Sequence, residues 1–110
     1  MIFAETAELT ASGMAYLGEC VLFDVLIGTD ATNDVAVSIF DGTSSAGVEK
    51  LPTNTYDASK LGLNGVVWQF ARKMDTGIYV LIDLAAGDAE VIVGYRPWKD
   101  IIGRNLQTLV

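Results

Sequence analysis

Apolar residues recur at every second position along much of this chain, and that period constrains its fold more than any other feature. In Asp34-Val35-Ala36-Val37-Ser38-Ile39-Phe40, the side chains of Val35, Val37 and Ile39 share one face. The run stops at Asp41-Gly42-Thr43, a turn signal with a permissive glycine. Ile78, Val80, Ile82 and Leu84 line one face of a second run, opposite Tyr79, Leu81 and Asp83. Val91, Val93 and Tyr95 line a third. β-Branched and aromatic residues are dense in all three, as a pleated, half-buried surface favours. The apolar segment Met14 to Ile27 exceeds the usual strand length of about 5–6 residues. It reads as two strands, or one bent strand, broken near Gly18-Glu19-Cys20, where glycine marks a bulge or a change of sheet.

Val48 to Leu51 and Val66 to Lys73 are further strands by the same signals, while residues 41–47 and 52–65 read as loops, the second holding the turn pair Asn64-Gly65. Short glycine-bearing links predict that 66–73, 78–84 and 89–95 form a hairpin-connected meander. The fold expected is therefore all-β, a β-sandwich or jelly roll of about seven to eight antiparallel strands. Residues 1–12 are expected to be an N-terminal arm or edge strand, 13–97 the sandwich, and 98–110 a C-terminal contact arm. Pro97 cannot donate a ladder hydrogen bond and so ends the last strand. Beyond it lie Trp98, Ile101, Ile102, Leu106, Leu109 and Val110, too many apolar groups for a free tail. Ile102, Leu106 and Leu109 fall at helical spacing, although Gly103 weakens a helix there.

A chain of 110 residues is one small domain, in which association can bury what a single core cannot. Half of its residues (51%) are apolar, which points to subunit contacts, and a closed homo-oligomer, a trimer, is expected. The formal charge of −7 disfavours nucleic acid and anionic membrane as partners. Residues 1–95 hold 13 acids and 4 bases, whereas 96–110 hold Arg96, Lys99 and Arg104 against Asp100. Two readings of that +2 segment stay open: chance, or a cationic arm that docks on the acidic body of a neighbouring copy. The interface residues expected are Trp98, Ile101, Ile102, Arg104, Leu106, Leu109 and Val110. The start of the sequence has no basic region before a continuous apolar stretch, and Met14 to Ile27 is interrupted by Glu19 and Asp24, so neither a signal peptide nor a membrane helix is expected.

Catalysis is not expected. There is no histidine, the commonest general base and transition-metal ligand, and the single Cys20 sits in an apolar run as an inert thiol. Most acids, Asp30, Asp34, Asp41, Asp57, Asp75 and Asp88 among them, adjoin turn residues. Asp24 and Asp83 alone fall inside apolar runs, where an alternating strand would still face them to solvent. Asp30-Ala31-Thr32-Asn33-Asp34 is oxygen-rich but lacks the twelve-residue calcium-loop pattern, so a plain turn is expected and no metal or cofactor. Tyr56, Trp68, Tyr79, Tyr95 and Trp98 could form a sugar-stacking platform, although Trp68 and Tyr95 lie within strands and so read as core or interface. A carbohydrate- or cell-surface-binding module is the alternative reading.

Three stretches carry a resemblance. Gly77-Ile78-Tyr79-Val80 with Ala89-Glu90-Val91-Ile92-Val93-Gly94-Tyr95-Arg96-Pro97 is similar to the C-terminal strands of small virion proteins of tailed bacteriophages and prophages. Asn33 to Thr43, a strand leaving into an Asp-Gly-Thr turn, and Met14 to Cys20 resemble the same kind of protein. The resemblance implies a non-catalytic β-sandwich or jelly-roll subunit, often trimeric, that decorates or cements a capsid or belongs to a tail or fibre. It further implies a major capsid or other virion protein as partner, and a place in the virion after assembly in the host cytoplasm.

Overall fold

The computed structural model describes residues 5–30, 32–56, 65–84 and 86–101. Among them lie eight strands: β1 (Glu5–Leu9), β2 (Gly13–Leu17), β3 (Cys20–Thr29), β4 (Val35–Asp41), β5 (Val48–Tyr56), β6 (Val66–Met74), β7 (Gly77–Leu84) and β8 (Ala89–Pro97). They form two antiparallel sheets of four, in the orders β1-β8-β3-β6 and β2-β7-β4-β5. Hydrogen bonding thus joins β1 to β8, β2 to β7, β3 to β6 and β4 to β5. The partners nest around the turn between β4 and β5, like the two arms of one long hairpin. No helix among the described residues is long and apolar enough to cross a membrane.

The alternating faces found in the sequence meet in one apolar cluster fed by both sheets. Cys20, Leu22, Val25, Ile27, Met74, Val91, Val93 and Tyr95 come from the first sheet, and Val35, Val37, Ile39, Tyr56, Ile78 and Val80 from the second. Most of these are fully buried, and each large aliphatic side chain so buried contributes roughly 1.5–3 kcal/mol. The break in the run from Met14 to Ile27 is a change of sheet. Gly18 takes a φ of 130°, which favours glycine, and its N–H donates to the Thr76 carbonyl at 2.7 Å.

Two sequence expectations require correction. The closing strands are not a meander: β6 and β8 belong to the first sheet, whereas β7 lies between β2 and β4 in the second. Stacked sheets lie about 10 Å apart, so a link of a few residues can cross between them as readily as it can turn back within one. Link length therefore sets how far the chain travels but not which sheet receives it. The second correction concerns residues 52–56, read as the start of a loop. They continue β5, which is an edge strand. The register skips from Val37↔Asn54 to Ile39↔Leu51, so Pro52 and Thr53 together oppose Ser38 in a bulge. A bulged edge is where a strand accommodates a proline. The rest of that expected loop, residues 57–64, lies outside the described residues.

Candidate assembly surface

The C-terminal exit is built where β3 begins and β8 ends. Pro97 pairs with Cys20, closing the ladder between these strands, and the Trp98 N–H donates to the Glu19 carbonyl at 2.9 Å. Residues 98–101 then turn as a helix. Lys73, at the end of β6, holds this corner together. Its Nζ lies 3.0 Å from Glu19 Oε2, 2.8 Å from Asp75 Oδ1 and 4.7 Å from the centre of the Trp98 ring. The hydrogen bonds it donates to Asp75 and Glu19 push the Lys73 ammonium above its ordinary pKa. Beside it the Tyr16 and Tyr95 rings approach to 4.8 Å at 35°, and a shallow cleft of about 310 Å³ is lined by Tyr16, Glu19, Trp98 and Lys99.

Of the interface residues expected from the sequence, Trp98 and Ile101 are described and both are half-buried. Trp98 packs back against the end of its own first sheet. Ile102, Arg104, Leu106, Leu109 and Val110 lie outside the described residues.

Exposed apolar side chains gather elsewhere. On β2, Tyr16 points inward to Tyr95, whereas Leu17 faces out and is 67% exposed. Met14 also faces out, its terminal methyl 3.0 Å from where a Cβ on Gly77 would stand. Met14, Tyr79 and Phe40 are register neighbours across the second sheet, with Leu81 and Ser38 in the next row, but Phe40 and Ser38 are buried, so the exposed apolar surface there lies on β2. Val48, at the start of β5, is a further exposed apolar side chain. On β6, Val67 and Trp68 are 53% and 41% exposed. Trp68 does not fill the core; its Nε1 donates to the Tyr56 hydroxyl at 2.9 Å. Tyr95, by contrast, is buried in the core cluster. A register shift between Met14 and Tyr16 puts these two on opposite faces, so strict alternation along Gly13-Met14-Ala15-Tyr16-Leu17 does not disclose that Met14 and Leu17 both face out.

The carboxylates at the turns act as fasteners. Asp41 Oδ2 accepts the Asp75 N–H at 2.8 Å, and Oδ1 accepts those of Thr76 at 2.8 Å and Gly77 at 3.3 Å. Burial pushes its pKa up, but these three donors and the charge of Lys50 outweigh it and hold the carboxyl below its ordinary value. Asp30 does the same work beyond the other end of β4. Oδ1 accepts from the Thr32 and Asn33 N–H groups, and Oδ2 from the Asn33 side-chain amide and the Asp88 N–H. The Asn33 backbone bond leads the causes that hold Asp30 well below the usual carboxylate range. Its oxygens thus face N–H donors, as in a turn that ties β3–β4 to β7–β8. No group of three or more potential metal-ligating side chains occurs among the described residues.

Asp83 is exposed, as alternation implies, but Asp24 is half-buried against β8. A Cβ on Gly94 would collide with the Asp24 carboxylate, so the glycine leaves the space in which that group lies. Cys20 is fully buried, and burial foremost, with the nearby Asp41 charge, pushes its thiol up to about 11. A protonated, enclosed thiol is a poor nucleophile. No family model matches the chain, and no curated protein does so either.

Proposed function

We propose that this chain is a non-catalytic structural subunit of a tailed-bacteriophage or prophage particle, of the kind that decorates or cements a capsid. It works by self-association, as a trimer, and by binding the particle surface. The observation that carries this reading is the nested pairing of β1 with β8, β2 with β7, β3 with β6 and β4 with β5. Read as a two-sheet jelly roll, that order is an architecture used by viral capsid and lectin domains. Fold alone does not choose between those uses. Met14 and Leu17, exposed together on the edge strand β2, favour assembly, since adjacent outward apolar side chains suit a protein contact better than a sugar cleft.

A carbohydrate-binding module is the second reading, and the partial exposure of Trp68 beside Tyr56 favours it. Burial of Tyr95 counts the other way, because it withdraws one ring from any stacking platform. Light scattering on the eluting protein, with a parallel test of retention on glycan resins, separates the two. A ligand-free trimer that ignores the resins supports the particle subunit, whereas a monomer retained by a resin supports the module.

A further inference from the structure

We infer that copies of this chain join edge to edge through the first sheet, β1 of one copy adding to β6 of the next. This rests on the self-association proposed above and names its surface.

The first sheet ends in β1 on one side and β6 on the other. β1 (ETAEL) carries Glu5 and Glu8 and no base, a net of −2; β6 (VVWQFARKM) carries Arg72 and Lys73 and no acid, a net of +2. The edges of the second sheet differ. β2 (GMAYL) has no charged residue, and β5 (VEKLPTNTY) balances Glu49 with Lys50. β5 is also interrupted by two register shifts and Pro52, and β2 by a shift between Met14 and Tyr16. Bulges and proline are devices that keep an edge from pairing. β1, in contrast, pairs with β8 without a shift over its whole length, and β6 shows one shift in nine residues. β1 is thus the most regular of the four edges, and β6 keeps an unbroken register from Val66 to Gln69 beside its one shift.

Strand direction agrees with this pairing. β1 opposes β8, β8 opposes β3 and β3 opposes β6, so β1 and β6 run in opposite senses. Rotation about an axis parallel to the strands preserves those senses. It sets β1 of a neighbour antiparallel to β6, continuing the sheet's own pattern. Such a contact uses two different patches, and it closes into a ring when the rotation closes.

Charge selects this contact over its rivals. Lys73 is already held by Glu19 and Asp75, so pairing β6 with β6 sets Arg72 against Arg72, whereas pairing β1 with β1 opposes −2 to −2. Neighbouring strands lie about 4.8 Å apart, within the screening length of roughly 8 Å at physiological salt. The half-exposed Val67 and Trp68 of β6 would also be covered by the incoming strand.

The test uses the full chain and two charge-altered forms at exposed positions. One carries Glu5→Lys with Glu8→Lys, the other Gln69→Glu with Arg72→Glu. Masses from light scattering are compared alone and in equal mixture, with melting curves confirming that each form is folded. An oligomeric parent, two monomeric variants, and a mixture that recovers an oligomer containing both are expected. If the parent is oligomeric and both variants keep its mass, the edge contact is wrong while self-association stands. Folded monomeric variants that fail to recover on mixing also overturn it. If the parent itself is a monomer, both readings fall. Should either double variant not fold, Glu8→Gln and Arg72→Gln serve instead. Each is expected to weaken association roughly two- to five-fold, and no change would overturn the contact.

Discussion

Asp41 and Thr76, 35 residues apart in sequence, are joined at 2.8 Å by a hydrogen bond from the Thr76 backbone N–H to the Asp41 carboxylate. The same carboxylate holds the N–H groups of Asp75 and Gly77, so one side chain at the end of β4 fixes the link by which the chain crosses from the first sheet to the second. Asp41→Ala would leave those donors without their acceptor. Hydrogen bonds to charged groups are worth roughly 1.5–3 kcal/mol, so a loss of about that size is expected, with a fall in Tm on the order of 10 °C. Asp41→Asn retains one acceptor oxygen and should lose less. A melting temperature unchanged in the alanine variant would contradict this role.

Acid should weaken the fold through the same group and through Asp30. Both carboxyls are held below their ordinary value in the folded chain. A depressed folded pKa contributes stability that is fully present above the unfolded value, about 3.9, and is lost as pH falls through the folded value. Denaturant midpoints measured from pH 7 down to pH 2 should therefore drop below about pH 4. Asp30→Asn combined with Asp41→Asn should flatten that drop. An equal drop in the variant would show that other groups are responsible.

Two glycines offer an opposed pair of substitutions. Gly87 has a φ of 78°, and a Cβ there would collide with the Asp30 carboxylate and the Asn33 amide. Gly87→Ala should therefore cost more than about 1 kcal/mol. A Cβ on Gly28 meets nothing closer than the Glu90 carbonyl at 3.9 Å. Gly28→Ala should be neutral or stabilising by up to roughly 1 kcal/mol. Equal effects at the two positions in chemical denaturation would refute this assignment.

How much of this the sequence disclosed differs from element to element. Alternation located β4, β7 and β8 through their buried inward residues, and Gly18 marked the change of sheet, but alternation gives no sign that Ser38 and Phe40 on the other side of β4 are buried as well. Pro52 makes β5 look shorter than it is, because proline signals a stop unless the strand is known to be an edge with a bulge. The false meander came from treating glycine-bearing links as hairpins, when sheet choice depends on long-range partners such as Asp41 and Thr76. The charges of β1 and β6 were legible, but their meaning was not. Only the strand order reveals them as the two edges of one sheet.

The thiol of Cys20 should stay silent in the native protein. Burial foremost, with the Asp41 charge, raises it to about 11 and leaves the sulfur without solvent contact. A thiol-specific reagent at pH 8 should label it only at the rate of unfolding, with full reaction in denaturant. Rapid labelling under native conditions would contradict the packing described.

At the C-terminal corner, Lys73 and Trp98 should act as a unit. Substituting either by alanine removes the same cation–ring contact, so the effects of Lys73→Ala and Trp98→Ala should be less than additive in a double-mutant cycle. Strict additivity would mean that Trp98 does not rest on Lys73 in solution.

Self-association is tested most directly by sedimentation equilibrium of the ligand-free chain at tens of micromolar in moderate salt. A single species of three times the 11.8 kDa chain mass is the result predicted. A monomer across the whole concentration series would contradict it.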